Sequence, residues 1–398
     1  MVLDIGYSGL GIARSLGRMG IAVYGASAMP LAAGLASRYW KGTFRWRSLE
    51  SPAVPSIGFM QEVSRRIGER AVLIPTSDTT VMFVAENADA LKEKFIFPGQ
   101  SPGLVQSLIN KRQMHQLAGS AHIATARTIF PRSRADVEGF VQQAIFPVIV
   151  KGVDPRLPGG TAKVTFRRPD DLLGYYDTVA HATDPNLAIQ EYIPGGDDTV
   201  WMFDGYFDQR STCLAAFTGR KLRQYPPYAG VTSLGICLGN EAIESMTRRF
   251  LALIGYQGPV DVDYRYDSRD GSYKILDVNP RIGATFRLFV GENGMDMARI
   301  YYLDMTGQPV PTIVPREGRK WMLEEDVQSC LRYRRDGKLS LRAWASSLRG
   351  VQETAWFALD DPAPILARCW GALRNAFRRL TTRTHAPPAG LRGVPGTK

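Results

Sequence analysis

The sequence predicts an α/β and α+β protein in three parts. A doubly wound parallel domain comes first, an antiparallel-rich domain second, and a mostly helical segment last. Three observations carry this. Over residues 1–105 short apolar runs alternate with helical patterns, which implies a parallel sheet. Over 106–310 apolar runs are joined by glycine turns and short loops, which are antiparallel signals. Beyond 310 the chain is rich in Trp, Arg and Leu at helical spacing.

The elements follow in order. "MVLDIG" reads as a strand, "GLGIARSLGRMG" as a helix and "IAVYGAS" as a strand. "ERAVLIPTSD" is another strand, and "TTVMFVAENADALKEKF" is helical. The Gly6, Gly9, Gly11 spacing resembles a dinucleotide fingerprint, but a tight strand-to-helix turn needs the same glycines, and "IAVYGAS" ends without an acidic residue for a ribose. "PTSD" (75–78) falls at the C-terminal edge of the sheet, a common ligand position. "SLINKRQMHQLAGSAHIATART" reads as one helix ending near Gly119. "PVIVKGVDP" is a buried strand carrying Lys151, and "RLPGGTAKVTF" a glycine turn into the next strand. "LAIQEYIPGGDDTVWMFDGYF" is strand, loop, strand; "AIESMTRRFLALIGYQG" is an amphipathic helix. "PVDVDYRYDSRDGSYKILDVNPR" is a hairpin turning at Asp270-Gly271.

Bulk properties narrow the class. The 398 residues are 44% hydrophobic and 22% charged, with a formal charge of +11. No apolar run reaches the ~20 residues of a membrane span, and the opening residues lack a signal-peptide pattern. The chain opens directly on a strand, so a few preceding residues are expected. Four scattered cysteines point to a reducing compartment and four scattered histidines away from a histidine-rich metal centre. The positive charge suggests an anionic partner.

The hairpin carries the chemistry. Around its turn Asp263 and Asp277 would lie opposite one another, and two such carboxylates repel unless a cation separates them. Magnesium suits carboxylate and amide oxygens, so Asn279 could add a third ligand, with Asp261 as the alternate first one. Arg281 could hold a transferred phosphoryl group. A solvated hairpin with incidental charges is the plain alternative. Lys151 suits a sheet edge facing phosphate, or a side chain reaching water. Gly159 and Gly160 would let backbone amides approach phosphate, with Lys163 adding charge, unless this is an ordinary glycine hairpin. Glu191 and the backbone near Tyr192 and Ile193 could serve an adenine edge, and Asp198 ribose hydroxyls, unless the acidic loop is merely solvated.

In this order the strand lysine, glycine-rich loop, "QEYIPG", acidic hairpin and "DVNPR" resemble the ATP-grasp superfamily, in particular its carboxylate–amine ligase branch. The resemblance covers roughly residues 1–310, and "DVNPR" is its most specific part, close to the family's E-x-N-P-R. It implies a Rossmann-like pre-ATP-grasp domain (1–105) and a two-lobed ATP-grasp domain (106–310, small lobe about 106–185, large lobe about 186–310). Composition adds a helical segment (311–384) and a Pro/Gly-rich disordered tail (385–398). It further implies Lys111 and Lys151 as ATP-binding lysines, Glu191 at the adenine hinge and Asp198 at the ribose. Asp263, Asp277 and Asn279 would hold Mg²⁺, or Mn²⁺ in its place, and Arg281 would stabilise an acyl phosphate. The chain departs from the family where Asp263 and Asp277 replace the usual Glu, and where Thr161-Ala162-Lys163 follows the two glycines.

The activity implied is ATP-dependent ligation of a carboxylate to an amine, releasing ADP and phosphate. No side-chain nucleophile is needed, in keeping with the lack of a Ser/His/Asp or Cys/His pattern. Arg220, Lys221 and Arg223 could bind a second carboxylate or form a basic surface loop. "PTSD", "KLRQYPPYAGVTS" and "GATFR" are the candidate substrate lining. Partners expected are ATP, small carboxylates and amines and, as a further option, a second copy in a homodimer; no nucleic-acid module is recognised. A cytoplasmic setting is expected. The basic "LARCWGALRNAFRRLTTR" helix either packs on the core or rests on the inner face of a membrane. Two rivals stay open: a non-catalytic ATP-binding or membrane-associated protein on the same fold, and a nicotinamide-dependent oxidoreductase.

Overall fold

The computed structural model describes residues 1–29, 32–46, 54–157, 163–179 and 185–383, with backbone alone for 375–383. Its first domain contains β1 (Val2–Leu3), β2 (Val23–Ser27), β3 (Trp40–Arg45), β4 (Ala71–Val72), β5 (Ile74–Pro75) and β6 (Phe95–Ile96). The main sheet is parallel in the order β3-β2-β1-β5, and β4 and β6 pair separately. Helix Tyr7–Gly17 follows β1 at once, and its glycines have packing reasons. A Cβ on Gly9 would sit 2.4 Å from the Asp4 carbonyl oxygen, and one on Gly11 3.0 Å from the Phe286 ring. Close helix–strand contact thus accounts for two glycines of the dinucleotide-like spacing, and the nicotinamide reading loses its main support.

The single helix expected after residue 105 is two. Pro102–Ile109 and Lys111–Ser120 are separated by Asn110, whose extended backbone ends one helix. Its side chain caps the next by accepting from the amides of Arg112 and Gln113. This break makes Lys111 the first residue of a helix, where its amide donates to the Val153 carbonyl.

The small sheet holds β7 (Thr128–Ile129), β8 (Val148–Lys151), β9 (Lys163–Phe166) and β10 (Ala188–Glu191), antiparallel in the order β7-β10-β8-β9. It has its own core, in which Val148, Val150 and Ile189 meet Val137, Phe140, Leu172 and Tyr176 from two helices. The large sheet holds β11 (Val200–Phe207), β12 (Cys213–Tyr225), β13 (Val231–Cys237), β14 (Gly258–Asp267), β15 (Ser272–Asn279), β16 (Lys320–Met322) and β17 (Val351–Thr354). Its order is β15-β14-β11-β12-β13-β16-β17, antiparallel except for β16–β17. The C-terminal segment contributes helices Asp326–Arg335, Leu341–Ser347 and Ala363–Arg383, and also the last two strands of this sheet. The tail expected at 385–398 lies outside the described residues.

One continuous core joins the first domain, the large sheet and the C-terminal segment. Val2, Leu10 and Ile74 pack with Met202, Phe217, Phe286, Trp321 and Trp356. Buried Arg14 seals it: Nε donates to Asp361 at 2.9 Å, and Nη2 to the Trp356 carbonyl at 2.7 Å. Among the described residues no helix is long and apolar enough to cross a membrane.

Candidate functional site

The site is built on the β14–β15 hairpin. Its loop is set by Gly271, whose φ of +70° is the left-handed region glycine tolerates, and by Asp267, whose carboxylate accepts from the Arg269 amide. Near the turn the ladder runs Asp267↔Ser272, Tyr266↔Tyr273, Arg265↔Lys274 and Tyr264↔Ile275. Continued without interruption, it would set Asp263 opposite Leu276. A β-bulge at that point takes up one residue, so Asp263 lies opposite Asp277 and Asp261 opposite Asn279.

Each facing carboxylate is met by a lysine. Lys221 Nζ lies 2.8 Å from Asp263 and Lys111 Nζ 3.3 Å from Asp277. One pleat on, Asn279 Nδ2 donates to Asp261 at 3.3 Å. Arg281 Nη2 donates to Asn279 at 3.3 Å, and Nε to Asp78 at 2.7 Å. Across the cleft, Lys151 at the end of β8 donates to Gln190 Oε1 at 2.7 Å, and Lys163 on β9 to the Ala229 carbonyl at 3.2 Å.

These charges shape one another. Burial, then the nearby Lys163 and Lys111, pull Lys151 down to about 7. Burial also lowers Lys163. Burial alone would raise Asp277, but Lys111, Lys163 and Lys151 outweigh it and hold the carboxyl below its ordinary value. Asp261 goes the other way, pushed up to about 7 by burial and by the adjacent Asp263 charge. Three lysines thus crowd one side of the cleft, where their neighbours' charge helps to depress Lys151 and Lys163, and a polyanion bound there would restore the charge of both.

Two contiguous cavities share Lys163, Lys221, Asp263 and Asp277 in their walls. The first, about 680 Å³, is walled at its far end by Ile149, Tyr192, Ile193, Val200 and Leu276, with Glu191 beside them. The Glu191 carboxylate accepts from Arg269 Nη1 at 2.7 Å, and the Arg265 guanidinium lies 4.7 Å from the Tyr192 ring centre. The second cavity reaches Asp78, Tyr228, Asn279, Arg281, Ala284 and Thr285. The two carboxylates and one amide form an oxygen-rich set that fits Mg²⁺, a cation that keeps further positions for water or phosphate. Among the described residues no cluster of three or more His, Cys, Asp or Glu could hold a metal by itself.

Several sequence expectations are altered. Lys111, Lys151, Lys163, Glu191, Tyr192, Ile193, Asp263 and Asp277 line the first cavity, while Asn279 and Arg281 line the second. Gly159 and Gly160 lie outside the described residues. Asp198 does not line either cavity: it is exposed on the short turn Asp197–Thr199. Its neighbour Asp197 is tied to Gln224 and to the Tyr333 hydroxyl. The amides of Glu191 and Tyr192 donate to the Arg127 and Pro147 carbonyls. Of the basic triplet only Lys221 enters the site. A second bulge, between Lys221 and Arg223, turns Arg223 away. Arg223 is buried against Asp326 at 2.7 Å, and Arg220 lies over Trp201. Gln190 and Arg269 were missed, because a strand glutamine and a turn arginine carry no distinguishing pattern.

No family model matches the chain. The D-aspartate ligase of Enterococcus faecium (strain Aus0004) is 25% identical over 245 residues, which cover 58% of this chain and 58% of that protein. The chain thus matches less than two thirds of that relative's length. Among solved structures, the L-amino acid ligase from Bacillus licheniformis superposes with a TM-score of 0.58 at 16% identity, over 79% of this chain and 74% of that one. The N5-carboxyaminoimidazole synthetase from Staphylococcus aureus, solved with ADP, gives 0.59 at 13% over 78% and 77%. The biotin carboxylase domain of the Hydrogenobacter thermophilus 2-oxoglutarate carboxylase, solved with MgADP, gives 0.59 at 15% over 78% and 70%. At such identities the likeness to these structures is one of fold.

Proposed function

We propose, from the premise that the chain has the ATP-grasp fold of the carboxylate–amine ligase group, that it is an ATP-dependent carboxylate–amine ligase working through an acyl phosphate. The facing Asp263–Asp277 pair, set beneath a cationic wall in a cleft between two sheets, carries this reading.

In this reading the adenine takes the apolar end of the first cavity, beside Glu191, Tyr192 and Ile193. Lys111, Lys151 and Lys163 offset the phosphate charge. Asp263, Asp277 and Asn279 would hold Mg²⁺, with Mn²⁺ as a substitute, which supplies charge neutralisation at the phosphate oxygens. Lys111 and Lys221 lie against Asp277 and Asp263 and would share these carboxylates' charge with the cation. A substrate carboxylate oxygen attacks the terminal phosphorus and ADP leaves. Arg281, braced by Asp78 and Asn279, offsets charge on the acyl phosphate. The amine then attacks the acyl carbon, phosphate departs and the amine loses a proton. The protein's part is mainly positioning and charge compensation. The second cavity, past Arg281, is assigned to the carboxylate and amine.

The boundary at about residue 105 is part of this proposal; β10 goes with the small lobe because it pairs within that sheet, and β16 and β17 go with the large sheet that they complete. Four free, widely separated cysteines support a reducing, cytoplasmic setting. The test is ADP formation with Mg²⁺ across paired carboxylates and amines. Stimulation by one pair, lost in Asp277→Asn, is the expected outcome. ATP binding with no turnover on any pair would favour a binding role.

A further inference from the structure

The structure divides the C-terminal helix into two faces, and the second face has no partner among the described residues. Helix Ala363–Arg383 is anchored on one side: Pro364 is buried, Ile365 packs against the central core, and Arg368 pairs with Glu325 and stacks on Trp356. That anchoring fixes which residues point away. Leu366, Trp370 and Leu373 are 64%, 71% and 65% exposed, at the i, i+4 and i+7 spacing of one helical face. The sequence continues the spacing with Phe377 and Leu380. Scattered apolar exposure is ordinary, but an ordered stripe marks a surface that something covers.

Charge selects the cover. Beyond Arg368, which is held by Glu325, the helix carries Arg374, Arg378, Arg379 and Arg383 and no acidic residue. Two copies packed stripe to stripe would set these arginine-rich helices together with no carboxylate between them. An anionic lipid surface meets both requirements, taking Leu and Trp at the headgroup–acyl boundary and arginines against phosphates. Each arginine near such a leaflet strengthens the attachment, and salt weakens it.

We infer that this helix binds the surface of an anionic membrane, seating Leu366, Trp370 and Leu373 in the interface while the rest of the chain stays in water. The inference is independent of the proposed ligase activity. It is tested by co-sedimenting the full chain with vesicles of phosphatidylcholine, alone or with about 30% phosphatidylglycerol. Binding to the anionic vesicles only, weakened by salt and reduced at least about tenfold in Trp370→Ser/Leu373→Ser, is expected. Arg374→Glu, which spares the apolar stripe, should also weaken it. Equal binding by wild type and the double variant, or no binding to anionic vesicles, overturns it. A dimer that the double variant abolishes would instead assign the stripe to a second copy. Both substituted positions are exposed, and an unchanged melting temperature confirms that the variants fold.

Discussion

Lys151 is the group whose titration ligand binding should most alter. Its ammonium sits in the cleft wall beside Lys163 and Lys111, and burial leads the fall to about 7. At about pH 8.5 only ~3% of it is charged in the ligand-free protein. A bound polyphosphate reverses this by favouring the cation, so binding draws a proton from solvent. Since the free-state value is depressed, the charged form is intact below about 7 and is lost above it. Nucleotide affinity should therefore fall about tenfold, ~1.4 kcal/mol, for each pH unit above 7. The fall ends where the bound-state value is reached. Calorimetric titration with ADP at about pH 8.5, in buffers of different ionisation enthalpy, counts the protons directly; the nucleotide is fully ionised there and adds none. Lys151→Arg keeps the charge at every working pH, so proton uptake should drop by about one. A wild-type uptake near zero, or one that Lys151→Arg leaves unchanged, would refute the reasoning.

Further outcomes follow from named contacts. Asp277→Asn keeps the shape of the hairpin but removes one of the facing charges; Mg²⁺-dependent ADP formation should fall at least about a hundredfold with the melting temperature nearly unchanged. Asp361→Ala strands the buried Arg14 guanidinium and should cost about 3–5 kcal/mol in urea unfolding, far more than a surface ion pair. Arg223→Met leaves Asp326 buried without its guanidinium partner, so it should destabilise the fold without selectively raising the KM of any carboxylate. A selective KM effect there would return Arg223 to the substrate site. Gly283→Ala places a Cβ 2.8 Å from that of Asp261 and should destabilise the hairpin end, read as a lower melting temperature.

The sequence reading reached the parallel first domain because its strands and helices alternate with clear periods. It reached the Asp263–Asp277 opposition from a turn placed at Asp270-Gly271, whereas that pair is centred on Asp270, the pairing nearest the turn is centred half a residue before it, and a bulge makes up the difference. Bulges leave no mark in a period-two pattern. The same blindness grouped Arg220, Lys221 and Arg223, although a bulge separates the last two. The helix break at Asn110 was legible in principle, since an Asn ahead of a helical run is a capping signal. Asp198 was chosen by its distance from Glu191, and spacing does not tell whether an acidic turn residue faces a cleft or solvent. β16 and β17 are three and four residues long, too short for alternation to show.

The two cores have a mechanical consequence. The small sheet packs within itself, whereas the first domain, the large sheet and the C-terminal segment share one interior and must travel as a single block. At one end of the small sheet Arg269 reaches Glu191 and Arg265 reaches Gly195, which pins a pivot. Beyond β8 the Val153 carbonyl accepts from the Lys111 amide and Arg156 meets Gln106, while on β9 Lys163 meets the Ala229 carbonyl. An anion bridging the small sheet and the frame would add a further tie, expected as slowed amide exchange in strands β8 and β9 when nucleotide is added, while the frame keeps its own exchange rates.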